Sequence, residues 1–280
     1  MPISGPEYQF VQNWVHQRSG VVLTEREKCV VEARLVPLVR QRKAESISEI
    51  ISKLQTDQAN GLSDVTLDAL LPKETMFFRD NHPFEVLRRD VFKSFEFKRV
   101  KEQKLRIWCA GCSTGQEAYS VAMTLHRYYP QLTKWELEII GTDLAPSAVE
   151  KAREGRYDEI EVRRGVLNML IGEYFQQDGP GWFKIKDEIK NLVRFEQLNL
   201  VGEPPNMGEM DLIFLRNVLR YMSLPMRKKV LAQIKTQLRP DGCLFLGAQE
   251  TTVQIDASYA MVPTERSVYF QHAATQTKRP

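Results

Sequence analysis

The chain has 280 residues, 42% apolar and 27% charged, with 15 Gly and 14 Pro. That composition excludes fibrous and disordered classes and fits one large globular domain or two smaller ones, able to bury a core without disulfide staples. A net charge of +3 falls short of a dedicated nucleic-acid binder, and no apolar run approaches the ~18–20 residues of a membrane span. Met1-Pro2-Ile3-Ser4-Gly5-Pro6 has neither the basic nor the apolar region of a secretory leader, so the cytoplasm is the expected location.

Tyr8, Phe10, Val11, Trp14 and Val15 recur at helical spacing. Thr24 followed by Glu27 is a capping-box signature, which predicts a helix from about 25 to 43, bent at Pro37 where a backbone donor is missing. Arg26, Arg34 and Arg40 project to one side of it at about 100° per residue, with Leu35, Leu38 and Val39 opposite. An ordinary solvated face is the plain reading of those arginines. Ser46–Leu54 and Leu62–Leu71 predict two more short helices. With no strand pattern in it, 1–71 reads as a small all-α domain.

Residues 72–104 read as a linker with a leading helix. Asn81 is its expected cap, Pro83 sits in its first turn, and Phe84 and Leu87 share a face. The charge-rich stretch 93–104 reads as a solvated connector. From 105 onward strands and helices alternate: strands at 105–109, 137–141, 193–197, 211–215 and 243–247, and helices at 116–129, after Pro146, and at 224–238. The alternation predicts a mainly parallel α/β sheet over 105–272. The stretch 155–192, with its Gly179-Pro180-Gly181 turn and Trp182-Phe183-Lys184-Ile185, breaks the pattern and reads as a small antiparallel insertion. Residues 273–280 read as a flexible tail.

The chemistry concentrates at strand ends. Cys109-Ala110-Gly111-Cys112-Ser113-Thr114-Gly115-Gln116-Glu117 lies between a predicted strand and helix, and its glycines let the backbone approach a ligand. It has neither the dinucleotide nor the P-loop spacing, so a pyrophosphate cradle is not expected. Asp143 ends the second strand, where a carboxylate accepts ribose hydroxyls; helix capping is the competing role, and Pro146 or Ser147 can start the helix instead. Asn199 follows the third strand and Arg216-Asn217 the next. Any one of these would pass as a turn residue, but together they occupy the carboxyl edge where such sheets bind ligands. Cys109 and Cys112 form a C-x-x-C with no further ligands at matched spacing, and the four histidines form no H-x3–5-H pair, so no metal is expected.

A glycine loop, an acidic strand end and an asparagine after a third strand suggest a methyltransferase using S-adenosylmethionine. The sequence resembles the CheR family of chemotaxis receptor glutamate methyltransferases over roughly residues 8–271. The resemblance is carried by Lys73-Glu74-Thr75-Met76-Phe77-Phe78-Arg79-Asp80, by Trp108 to Tyr119, by Gly141-Thr142-Asp143-Leu144-Ala145-Pro146, by Leu198-Asn199-Leu200, by Asp211 to Tyr221, and by Arg239 to Gln249-Glu250. Lys73 stands where the family usually has Asn, and Gln116 where it has Glu. The resemblance implies an all-α N-terminal domain, a linker, and a Rossmann-like methyltransferase domain with an inserted β-subdomain.

It also implies roles for single residues. Lys73, Thr75, Arg79, Gly111, Glu117, Asp143, Asn199, Leu200, Arg216 and Asn217 match positions around the cofactor, Glu117 for its amine and Asp143 for its ribose. Arg79 and Tyr221 match positions serving the transfer itself. The implied reaction converts S-adenosylmethionine to S-adenosylhomocysteine without a metal. The implied partner is the cytoplasmic helical bundle of a chemoreceptor, docked through Arg26, Arg34 and Arg40, with no nucleic acid, no membrane insertion and a monomeric enzyme. The alternatives are a same-fold methyltransferase for another acceptor and a docking module without turnover. The Asn/Asp-Pro-Pro-aromatic motif of amino-nitrogen methylation is absent, since Glu203-Pro204-Pro205-Asn206 lacks the aromatic.

Overall fold

The structure, a computed structural model, describes residues 2–56, 61–203 and 206–276. Pro204, Pro205 and the 277–280 end of the expected tail lie outside the described residues. The chain forms two units, one of Met1–Pro72 with Tyr221–Met226, the other of Lys73–Arg220 with Arg227–Pro280.

The first unit is helical. α1 (Gly5–Ser19) starts at a capping box that the sequence reading did not single out: Glu7 N donates to Ser4 Oγ, and Ser4 N donates to Glu7 Oε2 at 2.8 Å. Tyr8, Val11, Trp14 and Val15 are buried, while Phe10 is only half-buried. The Thr24/Glu27 capping box forms as expected, but the first turn, Glu25–Glu27, is a 3-10 helix. α2 (Lys28–Gln41) runs through Pro37 and stops short of Lys43, whose φ is 50°. α3 (Ile47–Gln55), capped by Ser46, and α4 (Leu62–Leu70) complete the set. One strand-like contact was not expected here: Val21 and Met222 form an antiparallel bridge, and Val22 N donates to Tyr221 O at 2.8 Å.

The second unit begins with α5 (His82–Val86), a π turn (Leu87–Val91) and α6 (Phe92–Lys98). Two expectations fail here. Asn81 occupies the cap position at φ 49° without a side-chain capping bond, because the chain enters through left-handed residues at Phe78, Asp80 and Asn81. The charged stretch from 93 is helical as far as Lys98: Phe92 and Phe95 sit three apart and both are buried, so core packing overrides the surface charge. Arg99 is also buried, donating from Nε to Asp211 at 2.7 Å and from Nη2 to Asp241 at 2.6 Å.

The chain then runs β1 (Lys104–Ala110), α7 (Gln116–Tyr128), β2 (Glu136–Asp143) and α8 (Pro146–Glu154). The insertion holds β3 (Arg156–Asp158), α9 (Glu159–Arg163), α10 (Asn168–Tyr174), β4 (Phe175–Gln177), β5 (Trp182–Ile185) and α11 (Asp187–Lys190). Its strands form an antiparallel sheet in the order β3-β5-β4. The main chain resumes with β6 (Val193–Gln197), β7 (Met210–Leu215), α12 (Leu224–Gln237) and β8 (Leu238–Leu246).

The last strands, β9 (Tyr259–Pro263) and β10 (Val268–His272), form a hairpin that the strand-helix alternation did not contain. The seven strands lie in the order β6-β2-β1-β7-β8-β10-β9, the first five mutually parallel and the hairpin antiparallel. α13 (Ala273–Gln276) gives the expected tail a helical turn, with Thr275 Oγ1 donating to Pro240 O.

Candidate active site

Because β6, β2, β1, β7 and β8 run parallel, their exit loops open on one edge of the sheet. The β1 exit is the glycine loop, with left-handed backbone at Gly111 (φ 71°), Ser113 (51°) and Gly115 (94°). A Cβ on Gly115 would lie 2.8 Å from Ala152 Cβ and 3.1 Å from Phe195 Cζ, so only glycine lets this loop seat against α8 and β6. Gly111 N and Cys112 N both donate to Thr142 O, at 2.7 and 2.9 Å, which joins this exit to that of β2.

Asp143, at the end of β2, is the hinge of that junction. Its Oδ2 accepts Ser113 N at 2.7 Å and its Oδ1 accepts Ala145 N at 2.9 Å. The sequence reading set a ligand role for this carboxylate against helix capping and favoured the ligand; the structure gives it backbone donors from two loops. Burial pushes its pKa above the ordinary range, opposed by those N–H groups and by the charge of Lys73. Lys73 reaches Ser147 Oγ at 2.9 Å, and its carbonyl accepts Ser113 Oγ at 3.0 Å. Leu198 N donates to Asp143 O at 2.9 Å, which brings the Asn199-Leu200 loop alongside. Asn199 turns its own Oδ1 back onto Val201 N at 3.1 Å.

A second cluster forms around Arg216, one residue past β7. Its side chain is fully buried. Nη1 donates to Glu117 Oε2 at 2.8 Å, and Nη2 donates to Asp80 Oδ2 at 2.7 Å and to Arg79 O at 2.9 Å. Glu117 lies in the first turn of α7, where the helix dipole favours an anion. Burial nonetheless raises its pKa, with Arg216 opposing the rise. Arg79 sits between left-handed Phe78 and Asp80, and its Nη1 donates to Glu74 O at 3.1 Å. Thr75 and Leu200 are partly buried on the flanking segments. Asn217 is left-handed (φ 59°), and its N donates to Glu250 Oε2 at 2.7 Å.

The structure thus links Lys73, Gly111, Asp143 and Asn199 in one network and Arg79, Glu117 and Arg216 in another. Tyr221 belongs to the first unit, in the segment that bridges to Val21 and Val22. Asp80 and Glu250 belong with these groups and were not singled out as site residues. Both stood in quoted motifs, but a sequence does not tell which backbone amides a loop carboxylate meets. Cys109 and Cys112 are buried, and burial pushes both thiols well above the ordinary range, so they stay protonated.

The three helix arginines part company. Arg26 and Arg40 are exposed, whereas Arg34 is half-buried and donates to Leu70 O at 2.7 Å, closing the end of α4. It therefore does not belong to a uniform solvent-facing row.

Residues 73–268 match the family described as CheR methyltransferase, SAM binding domain, and residues 6–71 match its all-alpha domain. The chain is 33% identical over 269 residues to chemotaxis protein methyltransferase Cher2 of Pseudomonas putida, covering 95% of this chain and 97% of that one. It is 34% identical over 275 residues to chemotaxis protein methyltransferase 1 of Pseudomonas aeruginosa, covering 97% and 99%. The chemotaxis protein methyltransferase of Escherichia coli is 28% identical over 265 residues, covering 93% and 90%. With both units matched along their length and a Rossmann-like sheet whose exit loops carry the quoted motifs, this chain belongs to the CheR methyltransferase family.

Proposed function

We propose that this protein transfers the methyl group of S-adenosylmethionine to glutamate side-chain carboxylates of a chemoreceptor's cytoplasmic helical bundle, giving methyl esters in the cytoplasm. The observation that carries the reading is the pair of carboxylates on the sheet's carboxyl edge, Asp143 and Glu117, each set by backbone or arginine donors beside the Gly111–Gly115 loop. Their chemistry fits the cofactor. A carboxylate has about four lone-pair sites, so Asp143 can hold its two loop amides and still accept from ribose hydroxyls. Glu117, facing Arg216 with one oxygen, suits the methionyl ammonium when ionised. Lys73, which reaches Ser147, offers a cation where a relative's amide would stand.

The cofactor supplies a sulfonium methyl that is already electrophilic. The acceptor glutamate is ionised at neutral pH, so its oxygen attacks the methyl carbon as the carbon–sulfur bond breaks. A neutral thioether leaves, and no proton need be moved. The protein's work is alignment and desolvation. Arg79 is proposed to hold a carboxylate by charge-assisted hydrogen bonds, and Tyr221 to orient the acceptor through its hydroxyl.

The test is transfer from methyl-labelled cofactor to a panel of receptor cytoplasmic domains. The label should be released as methanol in mild base. A base-stable label would contradict a carboxyl ester.

A further inference from the structure

The carboxylate of Glu250 does something the proposed chemistry leaves unexplained. Oε2 accepts two backbone amides, Asn217 N at 2.7 Å and Gly247 N at 2.8 Å, and Oε1 accepts a third, Arg220 N at 2.9 Å. These donors come from the exits of two neighbouring strands, β7 and β8, so one side chain ties both loops together. The segment it grips begins with left-handed Asn217 and ends at Arg220, the residue before Tyr221. Left-handed backbone is disfavoured for residues with a Cβ, for Asn less than for most, and here three hydrogen bonds to one carboxylate hold the segment that contains it.

A second observation points the same way. A Cβ on Gly247 would lie 2.7 Å from Glu250 Oε2, 2.8 Å from Asn217 Nδ2 and 2.9 Å from Asn217 N. Nothing larger than glycine fits there while the carboxylate keeps its amides. β8 thus ends with a residue that makes room for the clamp.

We infer that Glu250 is a positioning residue for methyl transfer: its carboxylate fixes the backbone of 217–220, and through it the placement of Asn217 toward the cofactor. The assignment rests on the cofactor reading proposed above. The demand on the side chain is specific. Three N–H donors converge on two oxygens, and an amide in its place would turn an NH2 group against at least one of them. A carboxamide is therefore nearly isosteric and yet unable to make the clamp.

The experiment compares wild type, Glu250→Gln, Gly247→Ala and the double variant in the full chain. Measurements are made well below each variant's unfolding midpoint, with circular dichroism confirming the fold. Calorimetry reads S-adenosylhomocysteine affinity, steady-state kinetics read kcat and KM for the cofactor, and amide hydrogen exchange reads Asn217, Arg220 and Gly247. Glu250→Gln should weaken product affinity at least tenfold, lower kcat/KM for the cofactor by at least as much, and release protection at Asn217 and Arg220.

Gly247→Ala should do the same by displacing the carboxylate. The double variant should then be little worse than either single one, since both break one clamp. Should Glu250→Gln fail to fold, Gly247→Ala and its exchange pattern carry the test alone. A folded Glu250→Gln protein within twofold of wild type in affinity and kcat/KM, or fully additive effects of the two changes, overturns the assignment. A wild-type chain that binds no cofactor overturns instead the reading on which the assignment rests, and the assignment with it.

Discussion

Arg216 donates to Glu117 at 2.8 Å from inside the sheet's carboxyl edge, with no part of its side chain exposed. The pair links the exit of β7 to the first turn of α7, and Asp80 and the Arg79 carbonyl accept from the other terminal nitrogen. A buried charge without a partner is costly, so removing one member of such a group typically destabilises by about 3–5 kcal/mol. Arg216→Met should fall in that range by chemical denaturation. It should weaken cofactor binding too, because Glu117 loses the charge that opposes its protonation.

The same burial gives a pH signature. Glu117 and Asp143 both have pKa values raised above the ordinary carboxylate range. An acid whose folded pKa is raised binds its proton more tightly when folded, so its unfavourable contribution at neutral pH is relieved as pH falls through the folded value. On the proposed function cofactor recognition uses the ionised forms, and so moves the opposite way. Affinity for S-adenosylhomocysteine should begin to drop on acidification above the ~3.9–4.3 of unperturbed carboxylates. Calorimetry across pH checks this, and Asp143→Asn should remove part of the dependence.

Asp143→Ala should cost at least ~1.5 kcal/mol of product affinity, the scale of a charge-assisted hydrogen bond. It should also lower folding stability, because Ser113 N and Ala145 N lose their acceptor. Unchanged affinity in a folded Ala variant would remove Asp143 from the site.

Arg79→Ala and Tyr221→Phe should lower kcat well beyond their effects on stability. Stopped-time methylation assays at saturating cofactor, run beside thermal melts, separate the two. Near-normal kcat in both variants would reject their assignment to the transfer step.

Docking through the N-terminal unit is best probed at the two exposed arginines. Arg34 spends its guanidinium on Leu70 O, so a charge reversal there would also loosen α4. Arg26→Glu with Arg40→Glu should slow receptor methylation and reduce its salt dependence, leaving cofactor affinity unchanged. Wild-type rates at low ionic strength in that double variant would exclude a docking role for the pair.

Helix and strand periodicity, the Thr24/Glu27 capping box and the motif-bearing loops were legible in the chain because each depends on residues within a few positions of one another. So were the parallel sheet and the inserted β-subdomain. Less local features were not. Whether 93–98 is loop or helix is settled by where Phe92 and Phe95 are buried. The fate of Arg99 is settled by Asp211 and Asp241, more than a hundred residues away. The β9–β10 hairpin is an edge addition whose short strands carry no strong alternation of their own. At the site, residue types announced a ligand edge, but hydrogen bonds and ion pairs are made between loops. The sequence placed Asp143 and Arg216 at strand ends and Glu117 at a helix start. Only the parallel order β2-β1-β7-β8 brings those ends together, and with them the burial and donors that decide which carboxylate is clamped, which is paired and which can meet a ligand.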